Sequence, residues 1–240
     1  MNISKYTKPA RKLLPLRRCG AVIVAAGSAS RMGGIDKVMA PLKGQPMIVH
    51  TARAFQNCDA IKEIVIVTRE DLILPITDLC AGFDKVKAVV AGGKSRQESV
   101  SLGLNALSGK CKLAAVQDGA RPLVTWQLID RVVRAANSYN AAVPVIPVKD
   151  TIKVCNPGLV VSTPDRSALR AVQTPQVFDF DLLRGALKKA LEEDAPITDD
   201  CSAVELLGMS VKTVEGDERN LKVTTPLDLR LADLLMEGNV

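Results

Sequence analysis

Histidine is almost missing: His50 is the only one in 240 residues. That excludes a multi-histidine zinc centre, and any Ser-His-Asp or Cys-His relay would have to run through this one ring. His50 sits in PMIVHTARAF among apolar neighbours at helical spacing and reads as a structural helix residue. The chemistry is left to Lys, Arg, Asp and Thr, a set suited to phosphoryl-type transfer, which asks mainly for positioning and charge. Aromatics make up only 3%. The core must then be aliphatic, as in a parallel sheet under helices, and there are few rings on which to stack nucleic-acid bases. No apolar run approaches the roughly 20 residues of a membrane span. The six cysteines form no CxxC pair; they read as reduced thiols of a cytoplasmic protein, not as a disulfide frame or a metal site.

Acidic residues are absent from positions 1–18, which hold six of the 32 lysines and arginines. The remaining 26 basic residues face 26 acidic ones, so the net charge of +6 belongs to this end and the body is neutral. With no long apolar core, 1–18 is not a secretory signal and is expected to be an unordered extension. Residues 19–240 read as a single domain, without repeats or a linker.

Within that domain, short apolar runs alternate with helical patterns. AVIVAA (21–26), EIVIVT (63–68), VKAVVA (86–91), LAAVQ (113–117) and AAVPVIPV (141–148) predict strands. Pro46–Phe55, Ser95–Leu107 and Thr125–Ala136 predict helices, the third capped by Thr125 and burying Trp126. The alternation argues for an α/β, three-layer sandwich on a mainly parallel sheet. KDTIKVCNPGLVVSTPDR then reads as two short strands about Asn156-Pro157-Gly158, a protruding β-arm at about 149–170 with few apolar residues to bury at home. Helices at 181–191 and 199–207, a strand at 210–214 and a last helix begun by Thr225-Pro226 follow.

The most informative segment is AVIVAAGSASRMGGIDK, 21–37. A buried strand breaks at Gly27 into a small-residue loop whose backbone can approach phosphate, and Arg31 and Lys37 follow as cations for the rest of a polyphosphate. The spacing is not that of a dinucleotide fingerprint, and GGKS at 92–95 lacks the first glycine of a P-loop. In VQDGARP, Asp118 ends a central strand where open α/β sheets bind ligands. It is suited to Mg²⁺, with Arg121 close by to contact phosphate or brace the loop; a structural Asp–Arg turn would use the same residues. These residues alone lead to an α/β enzyme acting on phosphate esters and a nucleotide.

AAGSASRM…DK, GGKSRQESV, VQDGARP, PVKDTIK, TPDR, QTPQVF, ITDD and EGDERNLKVTTPLDL, in this order, resemble the 2-C-methyl-D-erythritol 4-phosphate cytidylyltransferases of the non-mevalonate isoprenoid pathway. The resemblance implies a Rossmann-like fold and a Mg²⁺-dependent transfer of CMP from CTP, with pyrophosphate leaving. It implies catalytic roles for Arg31 and Lys37, a triphosphate loop of Ala25, Ala26 and Gly27, cytidine recognition at Gly93 and Ser99, and a metal position at Asp118. Thr198, Lys222 and Arg121 fall on the sugar-phosphate side. Thr151 and Arg166 match residues of an arm that reaches the partner's site in a homodimer. Departures are Ala29, where the family usually has glycine, Gln117 and Gly119 within its usual His-Asp-Ala-Ala-Arg, and Asp36, where proline is common. None removes a proposed catalytic group. A cytidylyltransferase for another polyol phosphate, such as ribitol 5-phosphate, would use the same loop; a non-catalytic nucleotide-binding protein would not need Arg31, Lys37 and Asp118 together.

Overall fold

A computed structural model describes residues 15–27 and 36–237. Strands β1 (Cys19–Val24), β4 (Ile61–Thr68), β5 (Val86–Ala91) and β6 (Leu113–Asp118) form the parallel centre of an eight-stranded mixed sheet; two short strands, β2 (Pro41–Leu42) and β3 (Gln45–Pro46), pair separately. The sheet continues through β7 (Ala141–Pro147), β10 (Arg170–Val172), β11 (Gln176–Asp179) and β12 (Lys212–Glu215). Here β11 lies antiparallel between β6 and β7, and β12 pairs in parallel with β7. The antiparallel insertion at Gln-Val-Phe-Asp was not foreseen, because four residues are too few to declare a period.

Alternation of side chains along the strands builds the two outer layers. Ala21, Ile23, Ile64 and Ile66 face one way, onto α1 (Met47–Gln56) and α4 (Trp126–Tyr139), through Ile48, Phe55, Ile129 and Val133. Val22, Val65 and Val67 face the other, onto α3 (Arg96–Ala106) and α5 (Phe180–Glu192), through Val100, Leu104, Leu183 and Leu187. The chain is thus the expected α/β sandwich. Helix α3 lies especially close to the sheet: a Cβ on Gly103 would stand 2.4 Å from Val22 Cγ1. The remaining helices are α2 (Ile73–Leu79), α6 (Asp200–Glu205) and α7 (Pro226–Met236). Among the described residues no helix is long and apolar enough to cross a membrane.

Several expectations need correction. Residues 1–14 lie outside the described residues, but 15–18 are docked on the body. Arg17 pairs with Asp179 at 2.9 Å and bonds to Asn137, and Arg18 pairs with Glu63 at 2.9 Å. Charge complementarity to the sheet's rim, invisible in a one-dimensional charge count, orders them. Trp126 is 51% exposed, although Thr125 does cap α4 by accepting the Leu128 N–H. At the first turn the inward positions are Leu128 and Ile129, so Trp126 falls outside the buried stripe. Pro46 precedes α1 instead of beginning it. On α7 the inward face is as its period implies, with Ala232 buried and Leu229 and Met236 packed against the same cluster. His50 is structural as expected, its Nε2 lying 2.8 Å from the Leu42 carbonyl. Of the cysteines only Cys155, on the arm, is exposed.

Candidate active site

The site forms where the parallel strands end. Ala25 N–H donates to the Val67 carbonyl at 2.7 Å, Gly92 N–H to Thr68 at 2.7 Å and Gly119 N–H to Val24 at 2.8 Å, so the loops after β1, β5 and β6 are stitched edge to edge. The first two touch so closely that a Cβ on Gly92 would stand 2.4 Å from Ala26 Cβ. Ser95 caps α3 by accepting the Glu98 N–H, and Ser99 Oγ accepts the Gly93 N–H at 3.1 Å while donating to Ser95 O at 2.8 Å. Ser99 therefore shapes the Gly92-Gly93 turn. The positive end of α3, with Arg96 in its first turn, opens toward a cavity of about 400 Å³.

Ala25, Ala26, Gly27, Lys37, Gly93, Ser99 and Asp118 all line that cavity, and so does Lys222, which the resemblance puts on the sugar-phosphate side. Arg31 and the departing Ala29 lie outside the described residues. Asp36 has a local explanation: its carboxylate accepts from Val38 and Met39 N–H and pairs with Arg69, which pins the turn carrying Lys37.

A second cavity, of about 300 Å³, holds Arg121, Thr174, Gln176, Thr198 and Asp199. Arg96, Asp118 and Lys222 belong to both cavities and form the wall between them. Lys222 Nζ is 2.9 Å, Arg121 Nε 3.4 Å and Arg96 Nη2 3.8 Å from the Asp118 carboxylate. Burial pushes the Asp118 carboxyl up, but Lys222, Arg96 and Arg121 outweigh it and hold the group below the usual carboxylate range. Asp118 is thus an anion at neutral pH, the state a hard cation needs. Burial lowers the Arg121 guanidinium, partly offset by Asp118. Asp200, fully buried, is raised by its burial even though Arg96 lies 2.8 Å away.

Gln176 and Asp200 fall in the QTPQVF and ITDD motifs, whereas Arg96 is a site residue that the sequence does not single out. Arg96 bridges Asp200 and Asp118. Gln176 accepts from Asp200 and Cys201 N–H at 3.1 Å each and donates to Asp199 at 2.8 Å, tying β11 to the start of α6. The one available signal was the place of Arg96 directly after a helix-capping serine. Thr151 and Arg166 line neither cavity: Thr151 is exposed, and Arg166 donates to the Lys149 carbonyl at 2.7 Å within the arm.

Two adjoining cavities sharing one carboxylate and two cations suit a transfer between two phosphorylated ligands. Residues 19–238 match the family model described as 2-C-methyl-D-erythritol 4-phosphate cytidylyltransferase. A protein of that name from Symbiobacterium thermophilum is 45% identical over 218 residues, covering 90% of this chain and 92% of that protein. One from Caldanaerobacter subterraneus is 43% identical over 225 residues, covering 90% and 97%. The crystal structure of 4-diphosphocytidyl-2C-methyl-D-erythritol synthase from Anaerococcus prevotii superimposes with a TM-score of 0.85 at 29% identity, over 95% of this chain and all of that one. That of 2-C-methyl-D-erythritol 4-phosphate cytidylyltransferase from Thermus thermophilus gives 0.76 at 33% identity, over 90% and 98%. The fold, the paired cavities and these matches agree: the chain belongs to the 2-C-methyl-D-erythritol 4-phosphate cytidylyltransferase family.

Proposed function

We propose that the chain transfers CMP from CTP to 2-C-methyl-D-erythritol 4-phosphate. A phosphate oxygen of the sugar attacks the α-phosphorus, the new P–O bond forms as the α–β anhydride breaks, and the bonding pair leaves with pyrophosphate. The observation that carries the reading is the wall of Asp118, Lys222 and Arg96 shared by the two cavities. The triphosphate lies on the Ala25–Gly27 loop and the positive end of α3, with cytidine at Gly93 and Ser99. The sugar phosphate occupies the second cavity against Arg121, Thr198 and Lys222. Lys37 and Arg31 meet the charge that grows on the α-phosphate, the class of contact that lowers a barrier most.

Mg²⁺ fits this site through Asp118, a buried carboxylate kept ionised, with one oxygen taken by Lys222 and the other only 3.8 Å from Arg96. Among the described residues no group of three acidic, histidine or cysteine ligands surrounds it, which suits an ion completed by waters and phosphate oxygens. When bound, it supplies charge neutralisation on the phosphates. The arm, 149–170, is proposed to pack on a second copy of the chain and carry Thr151 and Arg166 into that copy's sugar-phosphate cavity.

The test is pyrophosphate release from CTP with each polyol phosphate offered separately. Turnover with 2-C-methyl-D-erythritol 4-phosphate, and little with ribitol 5-phosphate, is the expected result. Preference for ribitol 5-phosphate would reassign the substrate, and no release with either would leave a nucleotide-binding role.

A further inference from the structure

Asn220 lines neither cavity and is fully buried. Its side-chain N–H donates to the Thr174 carbonyl at 2.9 Å. Its own carbonyl accepts from Arg121 Nη1 at 2.7 Å and from Gln173 Nε2 at 3.3 Å. Thr174 in turn accepts the Asp118 N–H on Oγ1 at 3.1 Å. Two residues beyond Asn220, Lys222 reaches Asp118 at 2.9 Å, and Val223 N–H donates to the Ala120 carbonyl at 2.8 Å. The contacts close a ring from Asp118 through Thr174, Asn220 and Lys222 back to Asp118. They join the end of β6, the segment before β11 and the segment before α7.

Asn220 Oδ1 is buried with no hydrogen-bond partner among the described residues. Such an orphan is a cost that an apolar side chain would avoid. What asparagine supplies for that cost is a donor to Thr174 at the Lys222 end of loop 216–223, whose other end is held by Gln173, donating to the Asp217 carbonyl at 2.7 Å and accepting its N–H at 3.1 Å. Of the two cations that depend on this latch, Arg121, held through the Asn220 carbonyl, faces the second cavity alone, and Lys222, held through the chain, stands in the wall shared with the first. The first cavity keeps Lys37, Arg96 and the α3 terminus, none of which touches Asn220.

We propose that Asn220 is a positioning residue for the phosphate of the acceptor: its side-chain amide sets Arg121 and Lys222 in the cavity that receives the sugar phosphate. This rests on the function proposed above. The test compares Asn220→Ala, Asn220→Asp (same shape, donor lost) and Thr174→Val with the unaltered chain in pyrophosphate release. In both Asn220 variants KM for 2-C-methyl-D-erythritol 4-phosphate is expected to rise on the order of tenfold, about one good hydrogen bond's worth, while KM for CTP rises clearly less, because only Lys222 of the two cations also lines the first cavity. Thr174→Val shifts the same ratio by less. Hydrogen exchange of the Val223 and Asp118 amides should quicken in the variants while β1 amides stay protected. Equal changes in both KM values, or none in folded protein, overturn the proposal. Should the Asn220 variants fail to fold, Thr174→Val decides by the same KM ratio. If the unaltered chain does not turn over this substrate, the functional reading falls, and exchange at Val223 alone decides whether Asn220 holds the loop.

Discussion

Asp118 faces three cations, Lys222, Arg121 and Arg96, so the site carries surplus positive charge before any ligand arrives. That surplus attracts polyphosphate and repels a bare divalent cation. We therefore expect calorimetric titration with Mg²⁺ to show binding only in the presence of CTP; saturable binding to the free chain would contradict it. Asp118→Asn removes more than a metal ligand, because it leaves buried Arg121 without its carboxylate. Its activation by Mg²⁺ should weaken and its unfolding free energy should fall by about 3 kcal/mol. Unchanged magnesium dependence would make Asp118 a turn residue. Lys37 has the opposite balance, standing on a turn held by Asp36 rather than in the core. Lys37→Ala should lower kcat on the order of 10²–10³-fold with the melting temperature nearly unchanged. Near-normal turnover of the folded variant would remove Lys37 from the chemistry.

At the scale of elements, Glu63 joins three pieces of chain. It stands on β4, pairs with Arg18 ahead of β1, and accepts from the backbone and hydroxyl of Ser108 just beyond α3. Burial pushes its carboxyl up, but the Ser108 and Arg18 contacts prevail and bring it down to about 2. In the unfolded chain the same carboxyl ionises near 4.5. On acidification the unfolded state therefore binds the proton first, so the contribution is complete above about pH 4.5 and is lost as pH falls toward 2. The difference corresponds to about 3 kcal/mol at neutral pH. Glu63→Gln should lower unfolding free energy by a comparable amount at pH 7, and the gap from the unaltered chain should close as unfolding is repeated toward pH 3. A gap independent of pH would show that packing, not charge, gives Glu63 its weight.

At the scale of the whole molecule the arm stands apart from the sheet. Among the described residues, strands β8 (Val154–Asn156) and β9 (Leu159–Ser162) pair only with each other, and Leu159, Val160 and Val161 stand 74%, 61% and 58% exposed. A second copy seated there would bury these side chains and bring Arg166, a bidentate phosphate donor, to its neighbour's cavity. Sedimentation should then give a dimer. Mixing the inactive Lys37→Ala and Arg166→Ala variants should restore part of the activity, since a mixed dimer holds one site with both residues intact. If subunits demonstrably exchange and no activity returns, each site is built within one chain. The arm itself was legible in the sequence, from Asn156-Pro157-Gly158 between short β-branched runs. So were β1, β4 and β6, whose apolar runs declare strands buried on both faces. The exposure of Trp126 and the docking of Arg17 and Arg18 were not, since each depends on which neighbour the fold brings up.

Local chemistry in the chain was enough to determine the strand–helix alternation, the small-residue loop at Ala25–Gly27, the helix starts at Thr125 and Thr225, and the placing of Asp118 at a strand end. Each follows from side-chain period or backbone hydrogen bonding within a few residues, so it is written where it acts. The wall around Asp118 was decided only by tertiary structure. Arg96, Asp118, Thr174, Asp200, Asn220 and Lys222 are scattered over more than half the chain and meet because β1, β6 and β11 lie side by side in the sheet. Their partnerships are set by packing across the sheet, and no spacing along the sequence encodes a contact of that range.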